Sequence, residues 1–246
     1  MARVIKMDKA LERQYESYKK RAVVCLIIGG SLMLTAVLLG LLWVPFAAFP
    51  CVLLAQPAVI IGGIMGQKAS ALHAGVQGET AAVQLLATLP EGYFILQNLT
   101  VRYEDKPSEI DAVVVGPTGV FAVEAKNHNG QIVGDGAERQ WTQHKIGRGG
   151  TPYSKSFYSP VKQVRTHVYR LANLVRDNGF RLTVESAVYF SNPETQVHLS
   201  NADERTPVFS AAEWRGSDLL AHLTGRSATL SPDTVCAIVD FLKKQH

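Results

Sequence analysis

Two carboxylates and an amine crowd one short stretch of the chain, residues 109–126, EIDAVVVGPTGVFAVEAK. Two Val-rich apolar runs, 112–115 and 120–123, flank Gly116-Pro117-Thr118-Gly119, a β-hairpin signature. A loop closed by Val115 and Val120 and one closed by Gly116 and Gly119 impose the same register, which sets Asp111 opposite Glu124. Side chains alternate along a strand, so Asp111, Val113 and Val115 share a face with Val120, Ala122, Glu124 and Lys126. Directly opposed like charges weaken a sheet by about 0.2–1 kcal/mol, so the pair calls for a cation. A hard divalent ion, Mg²⁺ (or Mn²⁺), suits oxygen donors of this kind, with water and substrate phosphate completing its shell. Lys126 then stands where it can orient an attacking water or help deprotonate it. In the competing reading Lys126 itself neutralises the pair, or bonds Glu109, its opposite number in this register.

The elements around the hairpin follow from periodicity. A helix is predicted from about 69 or 78 to 89, with Glu79, Val83 and Leu86 on one stripe. An acidic residue on such a stripe is either a partner of the helix N-terminus or a site residue turned inward. A strand is predicted over 93–99, a polar loop over 102–108, and a short strand over 131–133 after the Asn127-His128-Asn129-Gly130 turn. Ser159-Pro160 reads as an N-cap followed by proline in the first turn, opening a helix to about 177 that stops at Asn178-Gly179. Its buried stripe is Val161, Val164, Val168, Leu171 and Val175; Gln163, His167 and Arg170 lie at its shoulder. A strand over 182–190, a short one over 207–209, a helix over 214–223 and a final helix capped by Ser231 complete the expectation.

Charge divides the chain. Residues 1–21 carry seven Lys/Arg against three Asp/Glu, residues 22–67 carry no charge, and residues 68–246 balance 18 basic against 18 acidic residues. The net charge of +4 therefore comes from the N-terminal arm. Val4, Met7, Leu11, Tyr15 and Tyr18 recur at helical spacing, so 1–21 reads as a basic amphipathic helix at a membrane surface. A single helix over the uncharged run would reach about 69 Å, against a hydrocarbon core of about 30 Å, which predicts two spans. These fall near 22–42 and 47–66, joined at Trp43-Val44-Pro45, with Trp43 suited to the interface. Basic residues before the first span place both termini and the main domain in the cytoplasm, giving a two-span protein of the cell membrane. A signal peptide is too short to account for the run. A re-entrant hairpin bent at Pro45, Pro50 and Pro57 is the alternative, and Gly62, Gly63 and Gly66 could pack helix to helix. The expected organisation is an arm at 1–21, a hairpin in the lipid bilayer at 22–67 and a cytoplasmic domain at 68–246. Cys25, Cys51 and Cys236 form neither a disulfide pattern nor a zinc pattern.

Residues 139–181 hold nine Lys/Arg and one acid, interleaved with Trp141, His144, Tyr153, Phe157 and Tyr158, and Gly147, Gly149 and Gly150 give a loop-like character. Basic side chains among aromatics suit a phosphate backbone and unstacked bases, so Arg139, Lys145, Arg148, Lys155, Lys162 and Arg165 are candidate contacts to nucleic acid. A solvated basic face, or attraction to anionic lipid, competes with that reading.

The order of these features resembles the nuclease-related domain (NERD) family of the PD-(D/E)XK nuclease superfamily. The resemblance covers roughly 75–190 and rests on Gly78-Glu79, Glu109-Ile110-Asp111, GVFAVEAKNHNG at 119–130, Trp141 and SPVKQV at 159–164. It implies an α/β fold, a restriction-endonuclease-like mixed sheet flanked by helices, here preceded by the two-helix membrane hairpin. It further implies that Asp111 and Glu124 are metal ligands with the Ala125 carbonyl, that Lys126 positions or activates water, and that Glu79 and Gln163 are accessory catalytic residues. Ser159 and Ala112 depart from the pattern, where the family usually has Asn and often His. The implied activity is metal-dependent hydrolysis of phosphodiester bonds in DNA or RNA; the alternative is a non-catalytic nucleic-acid-binding or membrane scaffold protein that keeps the fold.

Overall fold

The computed structural model describes every residue except Lys9, Trp43, Arg148, Trp214, Arg215 and His246. The expected interfacial Trp43 and the expected helix start at Trp214 thus lie outside the described residues. Two compact units result: Lys9–Val76, and Met1–Asp8 together with Gln77–His246.

The first unit is helical. Helices α1 (Ala10–Leu41) and α2 (Pro45–Leu86) are joined where the Trp43-Val44-Pro45 turn was expected, and both are long and apolar enough to cross a membrane. Their buried positions are Ala22, Gly29 and Ala36 on α1 and Ala55, Gly62 and Ala69 on α2, each set spaced by seven residues. A Cβ on Gly29 would stand 2.7 Å from Val59 Cγ2, and one on Gly62 would stand 3.0 Å from Leu26 Cγ. Small residues at heptad spacing thus let the two backbones approach, while Leu34, Leu54 and Ile60 face outward. Gly63 and Gly66 meet nothing within 4 Å, so Gly62 alone of the three glycines serves the contact. The expected restart of a helix at 69 or 78 does not occur. Polarity changes after Gly66, but Ala, Gln and Leu continue the helical preference, and α2 runs on to Leu86.

In the second unit the N-terminus corrects the amphipathic arm expected at 1–21. Strand β1 (Arg3–Lys6) pairs parallel with β2 (Phe94–Tyr103), from Arg3 opposite Phe94 to Lys6 opposite Gln97. Ile5 and Met7 pack on the core. The helical spacing read from Val4 to Leu11 spans the junction of strand and helix, so its first steps carried no helical information. Strand β3 (Lys106–Gly116) returns against β2, and the loop expected at 102–108 is instead the tip of that hairpin. Glu104 and Asp105 take φ of 48° and 57°, the left-handed pair of a tight two-residue turn.

Strand β4 (Gly119–Lys126) follows, then β5 (Gly130–Asp135), β6 (Gln140–Ile146), β7 (Pro152–Tyr158), helix α3 (Pro160–Asp177), β8 (Val184–Phe190), β9 (Thr195–Ser200), β10 (Val208–Ser210), α4 (Ser217–Thr224) and α5 (Pro232–Lys243). The main sheet is mixed, in the order β1-β2-β3-β4-β8-β10. One face buries Leu96, Val113, Val115, Val120 and Ala122 under α3 and α5; the other buries Val114, Phe121 and Val123 with Ala82 and Leu86 of α2 and Leu219 of α4. The second sheet runs β7-β6-β5-β9. The basic, glycine-containing stretch expected as a loop is therefore largely the β6–β7 hairpin. Its glycines are confined to the turn, where the Gly147 N–H donates to the Thr151 carbonyl at 2.9 Å. Trp141 anchors this sheet: its ring lies flat against Gly134 and stacks on Phe190, and its Nε1 donates to the Asp135 carbonyl at 2.9 Å.

Candidate functional site

The β3–β4 ladder pairs Ala112 with Val123, Val115 with Val120 and Gly116 with Gly119, so Asp111 and Glu124 stand opposite as expected. The Ala125 N–H donates to Asp111 Oδ2 at 2.8 Å. Glu124 is wholly buried, and its Oε1 lies 2.6 Å from Lys126 Nζ. Lys126 Nζ also donates to Gln163 Oε1 at 3.1 Å. Lys126 thus bonds Glu124 and Gln163. Gln163 reaches it from the first turn of α3, whose start is fixed by Ser159 Oγ accepting from the Lys162 N–H. One turn on, His167 turns its Nε2 toward Glu124 Oε2 at 3.5 Å, a gap too long for a hydrogen bond. Among the described residues, neither Glu124 Oε2 nor either ring nitrogen of His167 has a hydrogen-bond partner.

Glu79 joins from the last turns of α2 because Gly78 allows a close approach. A Cβ on Gly78 would lie 2.5 Å from Asn127 Cβ and 3.2 Å from Ser191 Oγ, so only glycine lets the helix rest against the chain just past Lys126. Asn98 Nδ2 donates to Glu79 Oε2 at 3.1 Å. Asn98 lies within β2 yet has φ of 55°, and the pairs Gln97–Ala112 and Leu99–Ile110 set it opposite Asp111. Around these two residues the alternation of faces slips: Leu96 and Leu99 serve the same core, as do Ile110 and Val113.

The electrostatics follow from this crowding. Part of Asp111 reaches solvent, but its carboxyl is enclosed. Burial and the Glu124 charge push it well above the ordinary carboxylate range, against the pull of Lys126. Glu79 is also raised, by burial first, with Glu109 and Glu124 adding and the Asn98 hydrogen bond opposing. Burial acts to lower Lys126, but Glu124 and Asp111 outweigh it and the ammonium is stabilised. His128, two residues on, is driven down to about 4 by burial, helped by Lys126, Lys145 and Lys155 and opposed by its hydrogen bond with Gln143. Three carboxylates thus surround one ammonium among the interacting groups. The chemistry of Asp111, Glu124 and the Ala125 carbonyl fits a hard cation, and the orphaned, buried Glu124 Oε2 is the donor atom left over for one. Among the described residues no cluster of three or more His, Cys, Asp or Glu side chains has metal-binding geometry, so backbone, water or substrate oxygens would complete the shell.

Of the six basic candidates, the five among the described residues do not form one patch. Lys145 and Lys155 share a face of the β6–β7 hairpin with Trp141 and Phe157, and both act electrostatically on His128 beside the site. Arg139 lies at the opposite end of β6, exposed, where its carbonyl accepts from the Ser159 N–H. Lys162 borders an open polar hollow with Asn201 and Asp203. Arg165 is engaged by Asp203 and by Thr206 Oγ1, so its charge is matched within the molecule. Arg148 lies outside the described residues.

Two residues join the site that the motif reading did not place there. His167 had a visible signal, since it follows Gln163 by one helical turn at the shoulder of the buried stripe. Asn98 had only a faint one: with Gln97 it interrupts the apolar run Phe94-Ile95-Leu96 inside a strand.

Residues 74–191 match the nuclease-related domain (NERD) family. The chain is also similar to an uncharacterized protein of Bacillus anthracis, 35% identical over 103 residues, which cover 41% of this chain and 46% of that relative. The chain thus spans under half the length of the curated relative. No solved structure matches.

Proposed function

We propose that the nuclease-related domain carried at residues 74–191 is a divalent-cation-dependent phosphodiesterase acting on DNA or RNA, held at the cytoplasmic face of the cell membrane by the α1–α2 hairpin. In this reading the mixed sheet is a restriction-endonuclease-like core. The observation that carries the proposal is the wholly buried Glu124, with one oxygen unpartnered and Asp111 opposite it. A buried carboxylate oxygen left without a hydrogen bond is costly, and the Lys126 ammonium alone does not balance the charges of Glu124, Asp111 and Glu79. Asp111, Glu124 and the Ala125 carbonyl would hold Mg²⁺ or Mn²⁺. Such an ion lowers the pKa of a bound water and neutralises charge on a phosphate.

The chain's own groups divide the remaining work. In the metal-free protein Glu124 and Asp111 hold the Lys126 pKa up, so the side chain stands ready as an ammonium to orient water or steady phosphate charge. Gln163 fixes the direction of that ammonium with its side-chain oxygen. Glu79 is a carboxyl of raised pKa at the rim of the same group, suited to holding or passing a proton. Lys145 and Lys155 are the basic residues best placed to receive the backbone of a nucleic acid.

One observation favours the second reading, a scaffold that binds nucleic acid without cutting it: Lys126 already bonds Glu124 at 2.6 Å, as a structural ion pair would. The two readings separate in a cleavage assay with the full chain in detergent micelles, on labelled DNA and RNA, with Mg²⁺, Mn²⁺ or chelator. The phosphodiesterase reading expects cleavage that needs metal and falls by at least about a hundredfold in Lys126→Ala, the scale of losing one charge-stabilising group. Salt-sensitive binding without cleavage in either metal would instead leave the scaffold reading.

A further inference from the structure

We infer that Asn98 is a positioning residue of this site, turning the β2 backbone opposite Asp111 and holding the Glu79 carboxylate by a hydrogen bond from its side-chain amide. The activity arm of the argument rests on the phosphodiesterase reading; the geometry does not. Four observations converge on Asn98. Its φ of 55° falls in the left-handed region, which costs any side chain and costs asparagine least. It sits in mid-strand, where no turn requires that conformation, and the ladder resumes on either side of it. It is only 4% exposed, so its polar amide is held in the interior. Its Nδ2 donates to Glu79 Oε2 at 3.1 Å, while its Oδ1 has no hydrogen-bond partner among the described residues.

The left-handed residue has a clear local effect. Ordinary alternation from Leu96 would turn Asn98 toward α3 and Leu99 away from it. Instead Leu99 stays with Leu96 in the core beneath α3 and α5, and the Asn98 amide reaches Glu79 on α2, across the sheet. The same slip brings Ile110 and Val113 into one core, so Asp111 lies where both strands change face. A strained backbone held in place by its surroundings clusters at working sites, and here the strain lies directly between Glu79 and Asp111. Without the Asn98 amide, Glu79 would lose its hydrogen-bond donor and keep only the more distant pull of Lys126 against its burial and the charges of Glu109 and Glu124.

The test uses the full chain in detergent micelles with four variants: Asn98→Gly, Asn98→Asp, Glu79→Gln and the Asn98→Gly/Glu79→Gln double. Glycine accepts φ of 55° without strain, which offsets part of the lost hydrogen bond and of the added unfolded-state entropy, so Asn98→Gly should stay folded and melt near wild type. Its kcat should fall by about ten- to a hundredfold, the scale of a misplaced catalytic group, with KM little changed. Asn98→Asp keeps the shape but replaces the donor by a repelling carboxylate, and should lose at least as much. In the Glu79→Gln background, Asn98→Gly should cost less than about twofold further, because coupled residues are not additive. A stable Asn98→Gly with wild-type kcat, or losses that multiply in the double variant, would overturn the inference. If wild type itself cuts neither DNA nor RNA, the phosphodiesterase reading fails separately. The pairing is then read from melting temperatures, where shifts that simply add across the four proteins would overturn it.

Discussion

Glu124 is buried with one oxygen on Lys126 and the other facing His167 Nε2 at 3.5 Å without a hydrogen bond, and Asp111 beside it is pushed toward its protonated form. A raised carboxyl in the folded state favours the proton-bound protein, so that contribution to stability is present below the unfolded value of about 3.9 and is lost as pH rises through the folded value. In our proposal a divalent ion at the site would remove the penalty. Asp111→Asn should therefore leave the metal-free protein as stable as wild type, or slightly more so, above that window. It should also forfeit the stabilisation that Mg²⁺ or Mn²⁺ gives wild type, about 2.7 kcal/mol at a hundredfold excess over Kd. Thermal melts with and without metal decide it; a wild type indifferent to millimolar metal, paired with a weakened Asp111→Asn, would establish Lys126 as a structural counterion. His128 works in the other direction. Its folded pKa of about 4 lies below the ordinary value, so stability is present above about 6.5 and is lost as pH falls to about 4. The loss should be roughly 1–2 kcal/mol once solvent screening is allowed for, and His128→Phe should flatten that part of the curve in a pH series of melts.

At the scale of elements, the β6–β7 hairpin turns a one-sided charge count into a particular surface. Strand alternation puts Lys145 and Lys155 on the face that carries Trp141 and Phe157, toward His128, while Arg165 is spent on Asp203. Replacing Lys145 and Lys155 by Gln should therefore reduce the slope of log affinity against log salt by up to about 1.8 on duplex DNA, or about 0.9 per phosphate contact. Arg165→Gln should lower the melting temperature and leave that slope nearly unchanged. Equal slopes for the double variant and wild type would move the contact surface elsewhere. The composition of 139–181 revealed the charge but not this division, because β6 and β7 are polar strands whose pattern resembles a loop until they pair.

Across the whole chain, β1 precedes α1 while its partner β2 follows α2. Both ends of the helical hairpin therefore lie on one side of any bilayer it enters, which requires an even number of crossings. The seven basic residues before the uncharged run make that side the cytoplasm in our proposal. Protease added to intact cells should spare both a tag at the N-terminus and the C-terminal unit, and should digest both after permeabilisation. Digestion of either from outside would rule the topology out. Deleting residues 2–8 should also weaken the second unit by about 1–3 kcal/mol, since Ile5 and Met7 leave the core and the β2 edge loses its pairing. That loss would appear as a lower melting temperature with faster amide exchange along β2.

The sequence alone determined the hairpin register at 109–126, the α3 boundaries with their Ser159 cap, and the two apolar segments with the turn between them. Each of these is local: a Gly-Pro-Thr-Gly turn, an N-cap, or a run too apolar for water specifies itself within a few residues. Tertiary structure decided the rest. Whether Lys126 meets Glu124 or Glu109, which candidate basic residues stay clear of an acidic partner, and whether residues 3–6 form a helix or a strand all depend on partners distant in sequence. Asn98 shows the same limit at its sharpest. Its left-handed turn is worth its strain only because β3 and α2 bring Asp111 and Glu79 to either side of it, and no periodicity within β2 records that.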